Sequence, residues 1–183
     1  MTYKKVTATL VVATICIIGM SGALGYYIVH AATTVSIDEN TPYLVTHVMD
    51  GDTFMVKVGR HEVTVRMLGI DTPETVDPRK TVQCYGMEAS EHTKNILTGR
   101  SVRLKLNPNR EEKDKYGRYL AYVYLGEKFV NESLLEDGFA REYTFGKPYM
   151  YQKEFRELES KAKEEKRGSW GACDGADNFG KKR

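Results

Sequence analysis

From residue 43 onward the chain alternates and then coils. Tyr43 to Met49 alternates loosely between apolar and polar positions, and Thr53 to Val58 and Glu62 to Leu68 repeat that period of two, which predicts three strands. Val58-Gly59-Arg60-His61 reads as the hairpin turn between the second and third. Glu88 to Leu97 then carries apolar or small residues at Ala89, Thr93, Ile96 and Leu97 and stops at Gly99, the signature of a helix. Val102 to Leu106 and Tyr119 to Leu125 alternate again, joined by the polar stretch Asn107 to Arg118. Asn131 to Asp137, stopped by Gly138, predicts a short helix. Tyr151, Phe155, Leu158 and Ala162 form the apolar stripe of a longer one, with Glu157–Lys161 and Glu159–Lys163 as surface pairs, ended by Gly168, after which Trp170 is expected to dock on the core. Three strands, a helix, two strands and further helices is the order of an α+β protein built on a five-stranded Greek-key barrel of the OB type with about three helices; an α+β sandwich has a similar pattern.

The first 31 residues follow a different rule. Lys4 and Lys5 precede Val6 to Val29, a stretch with no charge. It is longer than the roughly 7 to 15 residues of a signal-peptide core and matches the roughly 20 that a spanning helix needs. Cleavage after Ala31 or Ala32 and retention as an N-terminal anchor through residues 6–29 both fit. In either case the flanking lysines keep the N-terminus inside and send the domain, residues 43–173, out of the cytoplasm, to be secreted or held at the outer face of the cytoplasmic membrane. Residues 174–183 read as a disordered tail.

Cysteine usage agrees with export. Cys16 lies in the apolar segment, leaving Cys84 and Cys173, an even pair too few for a zinc cluster and suited to a disulfide in an oxidising compartment; two free thiols are the alternative. The net charge of +2 includes Lys4 and Lys5, so the domain is close to neutral, and any affinity for a polyanion must come from local clusters of Arg and Lys. His47, His61 and His92 show no ligand spacing.

Three constellations carry chemistry. Asp50-Gly51-Asp52-Thr53 fits an ordinary hairpin turn; it is not an EF-hand, whose sixth and twelfth positions would be Met55 and His61 here. Arg66 is followed by Asp71-Thr72-Pro73-Glu74-Thr75, where Pro73 stops sheet pairing. Asp114-Lys115-Tyr116-Gly117-Arg118 is a charged loop. Taken together they form a kit. Asp52 and Asp71 offer hard oxygens to a cation such as Ca²⁺, Arg66 and Arg118 match the bidentate demand of a phosphate, and Glu74 is a spare carboxylate able to deprotonate a water.

From about Val48 to Trp170 the chain resembles the staphylococcal nuclease, or thermonuclease, family. The resemblance rests on the three constellations above together with Tyr85-Gly86-Met87-Glu88-Ala89 and Val130-Asn131-Glu132, in the family's order and near its spacing. It implies an OB-fold barrel acting as a monomer, dependence on Ca²⁺, and endonucleolytic cleavage of DNA and RNA to products with 3′-phosphates. By the same resemblance Asp52 and Asp71 are side-chain ligands of Ca²⁺, Thr72 gives its carbonyl, and Asp50 stands just outside. Glu74 is the general base and Arg66 and Arg118 grip the phosphate. Lys80, Lys115 and Tyr116 bind substrate, and Tyr143 and Phe145 form an aromatic platform for a base.

This sequence also departs from the family's reference member, which has a tyrosine where Phe145 stands, a lysine where Cys84 stands, and no cysteines; the match through Arg141 to Pro148 needs a one-residue gap. The rival class is a catalytically silent OB-fold module that binds nucleic acid or protein. It has no use for Asp52, Asp71, Glu74, Arg66 and Arg118 together, and a purely structural Ca²⁺ site does not explain the arginines.

Overall fold

A computed structural model describes residues 35–75 and 82–173. The apolar segment 6–29, the tail 174–183 and Lys80 lie outside the described residues. Three strands come first, β1 (Tyr43–Asp50), β2 (Thr53–Val58) and β3 (His61–Met67), followed by the two-residue β4 (Ile70–Asp71) and helix α1 (Gly86–Leu97). Then come β5 (Ser101–Leu106), β6 (Tyr119–Leu125), β7 (Lys128–Phe129), α2 (Val130–Glu136), β8 (Arg141–Glu142), α3 (Gln152–Glu164) and the single turn α4 (Ser169–Ala172).

The strands close on themselves. Their order is β3-β2-β1-β5-β6-β7, and a parallel pairing of β3 with β6 joins the two ends into a five-stranded barrel. Closure removes the open edges that an α+β sandwich would leave, so the barrel expected from the strand order is the fold. Its interior is apolar: Val45, Phe54, Val56, Val65, Met67, Leu104, Tyr119, Ala121 and Val123 are all buried. Outside the barrel, α1 buries Ala89, Thr93 and Leu97, while α3 packs on α2, the first burying Phe155 and Ala162 and the second Leu134 and Leu135.

Register positions the chemistry. The two-residue turn Gly59-Arg60 sets Val58 opposite His61, and counting back along the hairpin puts Arg66 opposite Thr53, next to Asp52. A slip of one residue would send Arg66 into the barrel. Val65 and Tyr119, paired across the closing seam, both point inward. Their neighbours Arg66 and Arg118 therefore stand on the outer face of adjoining strands.

One expected surface pair differs. Glu159 pairs with Lys163 at 2.8 Å, but Glu157 pairs with Lys153 rather than Lys161, at 3.8 Å. Trp170 is half-buried, with the ammonium of Lys163 4.5 Å from its ring centre.

Cys84, just before α1, and Cys173, just after α4, are bonded to each other across 89 residues. The bridge ties the segment that leaves the Glu74 turn to the C-terminal end of the domain. In the chain-entropy model a loop of this size stabilises the folded state by about 4 kcal/mol. Replacing both cysteines by Ser should lower the unfolding free energy by about 2–4 kcal/mol in urea titration. An unaltered midpoint would mean the bridge contributes nothing to the ordered domain.

Candidate active site

The site grows out of two turns brought face to face. One is the β1–β2 turn, Gly51-Asp52, flanked by Asp50 and Thr53, which form the last pair of that ladder. It is a hairpin turn, as its sequence suggests, yet both acids are buried, Asp50 to 7% exposure and Asp52 to 5%. The other is the segment from Leu68 to Thr75. The two pack so closely that a Cβ on Gly51 would sit 2.7 Å from the Thr72 hydroxyl oxygen, so only glycine fits there. The Thr93 hydroxyl of α1 donates to the Gly51 carbonyl at 2.7 Å and holds the first turn from behind.

Gly69 turns the second segment. Its φ of +82° lies in the left-handed region, and a Cβ there would meet the Tyr149 ring at 2.6 Å. Tyr149 and Asn131 fasten the turn, the tyrosine hydroxyl donating to Gly69 O at 3.1 Å and the Asn131 amide to Leu68 O at 2.9 Å. Asn131 also accepts the Val123 N–H at 2.9 Å, so the asparagine ties the turn to β6.

Arg66 lies where the turns meet. Its Nη1 donates to the carbonyls of Met67 and Ile70 at 2.9 and 2.8 Å, and its Nη2 contacts Asp52 Oδ2 at 2.9 Å and Asp71 Oδ1 at 3.0 Å. One nitrogen thus gathers the two carboxylates. Asp52 is held further by the Thr72 N–H on Oδ2 at 3.0 Å and the Thr53 hydroxyl on Oδ1 at 2.8 Å. Thr72 Oγ1 is buried without a hydrogen-bond partner.

Arg141 is the residue that the sequence reading missed. It pairs with Asp71 across β4 and β8, and its Nη2 and Nε reach Asp71 Oδ2 at 2.7 and 3.1 Å. Strands of two residues leave no periodic signal, and a basic residue after Ala140 looks like ordinary surface. Asp71 therefore lies between two guanidiniums. Burial pushes its carboxyl above the usual range, Arg66 and Arg141 pull it down, and Asp52 pushes it up.

Asp50 accepts from Gly51 N–H at 2.8 Å and from the Thr75 hydroxyl at 2.7 Å. Burial raises its carboxyl to about 6 despite the Thr75 bond, and the charges of Asp52 and Glu74 add to the rise. Glu74 thus belongs to the same acidic neighbourhood. Its backbone is stitched to the segment before α1, with Glu74 N–H donating to Gln83 Oε1 at 2.8 Å and Gln83 N–H to Glu74 O at 3.0 Å.

The third constellation is organised by its own carboxylate. Asp114 Oδ1 accepts from the Tyr116 and Arg118 N–H groups at 2.9 and 3.0 Å, and Asp114 Oδ2 accepts from Arg118 Nε at 2.7 Å. This aims the Arg118 guanidinium along the barrel's outer face while keeping a third of its side chain exposed. Lys115 and Arg118 both lie over the Tyr116 ring, at 5.0 and 5.4 Å, and Tyr116 is 71% exposed. Phe145 is 68% exposed, whereas Tyr143 is half-buried beside Arg141, 6.0 Å from its guanidinium.

A family model described as staphylococcal nuclease homologue matches residues 64–172. The chain is 40% identical over 169 residues to a thermonuclease of Staphylococcus hyicus, covering 91% of this chain and 98% of that one. This chain belongs to the staphylococcal nuclease family. A thermonuclease of Staphylococcus intermedius is 50% identical over 99 residues, 54% of this chain and 58% of that one. An endonuclease of Bacillus subtilis, YncB, is 41% identical over 123 residues, 67% of this chain and 58% of that one.

The donor set fits a hard cation. Asp52 and Asp71 converge on Arg66, Thr72 donates its N–H to Asp52 and buries an unpaired hydroxyl oxygen, and Asp50 is buried close by. Among the described residues no three acidic, His or Cys side chains form a closed cage; two carboxylates and a carbonyl suit an ion that completes its shell with water.

Removing a guanidinium strands the acids it gathers. Arg66→Gln should destabilise the fold by about 3 kcal/mol and Arg141→Gln by about 1–2 kcal/mol, because the first breaks two carbonyl contacts as well as two carboxylate contacts. Urea titration of both variants checks the order. Equal losses would mean that Arg66 is not the residue that organises the turns.

Proposed function

We propose that this protein is a Ca²⁺-dependent endonuclease that hydrolyses phosphodiester bonds of DNA and RNA and leaves 3′-phosphates. The observation that carries the reading is the convergence of Asp52 and Asp71 on one Arg66 nitrogen, beside the charge of Glu74. The names of the relatives, thermonuclease and endonuclease, support the same reaction class.

In this reading Asp52, Asp71 and the Thr72 carbonyl would hold the ion, and Asp50 keeps Gly51 and Thr75 in place. Bound Ca²⁺ would polarise a phosphoryl oxygen. Glu74 accepts a proton from the attacking water as that oxygen bonds to phosphorus. The bond to the 5′-oxygen then breaks, that oxygen takes up a proton from water and leaves as a hydroxyl, and the phosphate stays on the 3′ side. Arg66 and Arg118 offset the charge that builds on the phosphoryl oxygens. Arg118 is pre-aimed by Asp114, which lowers the entropy lost when it closes on substrate. Lys80, Lys115 and Tyr116 take flanking phosphates, and Phe145 with Tyr143 offers ring faces to a base.

The reading extends to location. Residues 1–31 carry the domain across the cytoplasmic membrane, as a cleaved signal or as an anchor through residues 6–29, and the enzyme works there as a monomer. Comparing culture supernatant with membrane fraction separates the two.

The decisive assay is plasmid digestion by the full chain in millimolar Ca²⁺, in Mg²⁺ and in chelator, beside Glu74→Ser. Ca²⁺ should switch cleavage on, and the Glu74 variant should be slower by roughly 10²–10⁴-fold. An intact plasmid in Ca²⁺ would favour the silent binding module. Cleavage by Glu74→Ser at the wild-type rate would remove Glu74 from the role of base.

A further inference from the structure

Arg110 lies in the loop between β5 and β6 and is bonded to neither the acids nor Arg118. Its Nη2 donates to the Phe145 carbonyl at 2.6 Å and its Nη1 to the Lys147 carbonyl at 2.7 Å. Two short charge-assisted bonds from one planar fork, spanning Gly146, fix a loop that lies 35 residues further along the chain. The loop it grips carries Phe145, and its own loop carries Lys115 and Tyr116. Tyr116 and Phe145 are the two most exposed aromatic side chains among the described large hydrophobics. Exposed rings with cations beside them are what a single-stranded nucleic acid needs, one face for each base and a charge for each phosphate.

The geometry points to Arg110 as a positioning residue for substrate, one that locks the Phe145 loop to the Lys115–Tyr116 loop so that stacking and phosphate contacts act as one grip. The inference rests on the nuclease reading. Arg110 spends its fork on carbonyls and works through Phe145 rather than by touching phosphate. Its effect belongs in binding, because the ordering cost of the Phe145 loop is met in the free protein instead of at each encounter.

The test uses the full chain and a fluorescent oligothymidylate of about ten nucleotides, read by anisotropy in chelator and by steady-state kinetics in Ca²⁺. Arg110→Ala should bind about fivefold more weakly, with KM raised by a similar factor and kcat within about twofold. Arg110→Lys should be nearly as weak, since one ammonium cannot serve both carbonyls in the fork geometry. Phe145→Ala should lose a comparable factor, and the double variant should be no weaker than the weaker single. The slope of log Kd against log salt should not change.

Three results would overturn the inference. One is binding and KM unaltered in Arg110→Ala, whatever its melting temperature, which leaves Arg110 merely structural. Another is losses that multiply in the double variant. The last is full recovery in Arg110→Lys with a slope smaller by about 0.7 in Arg110→Ala, the mark of a direct phosphate contact. A wild type that neither binds nor cleaves the oligonucleotide sinks the nuclease reading itself, and this inference with it.

Discussion

The Arg66 guanidinium, held between Asp52 and Asp71, is the interaction on which the rest of the site depends. Two carboxylates brought together from separate turns repel each other where water is scarce. Arg66, joined at Asp71 by Arg141, offsets that repulsion and, with its second nitrogen, closes the turn after β3. The turn can then present Asp71, Thr72 and Glu74 in one short run. The acids of this neighbourhood, Asp50, Asp52, Asp71 and Glu74, outnumber the two guanidiniums, Arg66 and Arg141, that reach Asp52 and Asp71.

The fold delivers this geometry through register more than through any single strong contact. A two-residue hairpin turn sets Arg66 opposite Thr53, and the parallel seam with β6 brings Arg118 to the same outer face. Glycines at 51 and 69 permit the turns to touch and to bend. Buried Asn131 and Tyr149 hold them from the helical side, and the Cys84–Cys173 bridge tethers the chain that runs on from Glu74. Loops then add reach, with Asp114 aiming Arg118 and Arg110 joining the exposed aromatics.

The sequence was most informative where period and punctuation are strong. The five barrel strands and the ends of α1 follow from alternation and from glycine stops, and the acid–arginine kit was readable because its members cluster in turns that break the sheet. What stayed hidden is non-local. Arg141 meets Asp71 across strands too short to leave a pattern, and the closing β3–β6 pair joins residues 54 positions apart, from Val65 to Tyr119. The contact of Arg66 with Asp52 and Asp71, which leaves its side chain 13% exposed, joins two turns far apart in sequence and so leaves no local pattern. Arg110 looked like one more charge in a polar loop, because its partners are backbone carbonyls that no residue type announces.

We infer that Asp52 and Asp71, gathered by Arg66, form a cation site. The most direct measurement is the thermal midpoint of the full chain with and without millimolar Ca²⁺, for wild type and for Asp71→Asn. An ion that binds only the folded state stabilises it by RT ln(1 + [Ca²⁺]/Kd), so the wild-type midpoint should rise with Ca²⁺ while that of Asp71→Asn stays within error of its metal-free value. An equal rise in both proteins, or none in the wild type, would contradict the account.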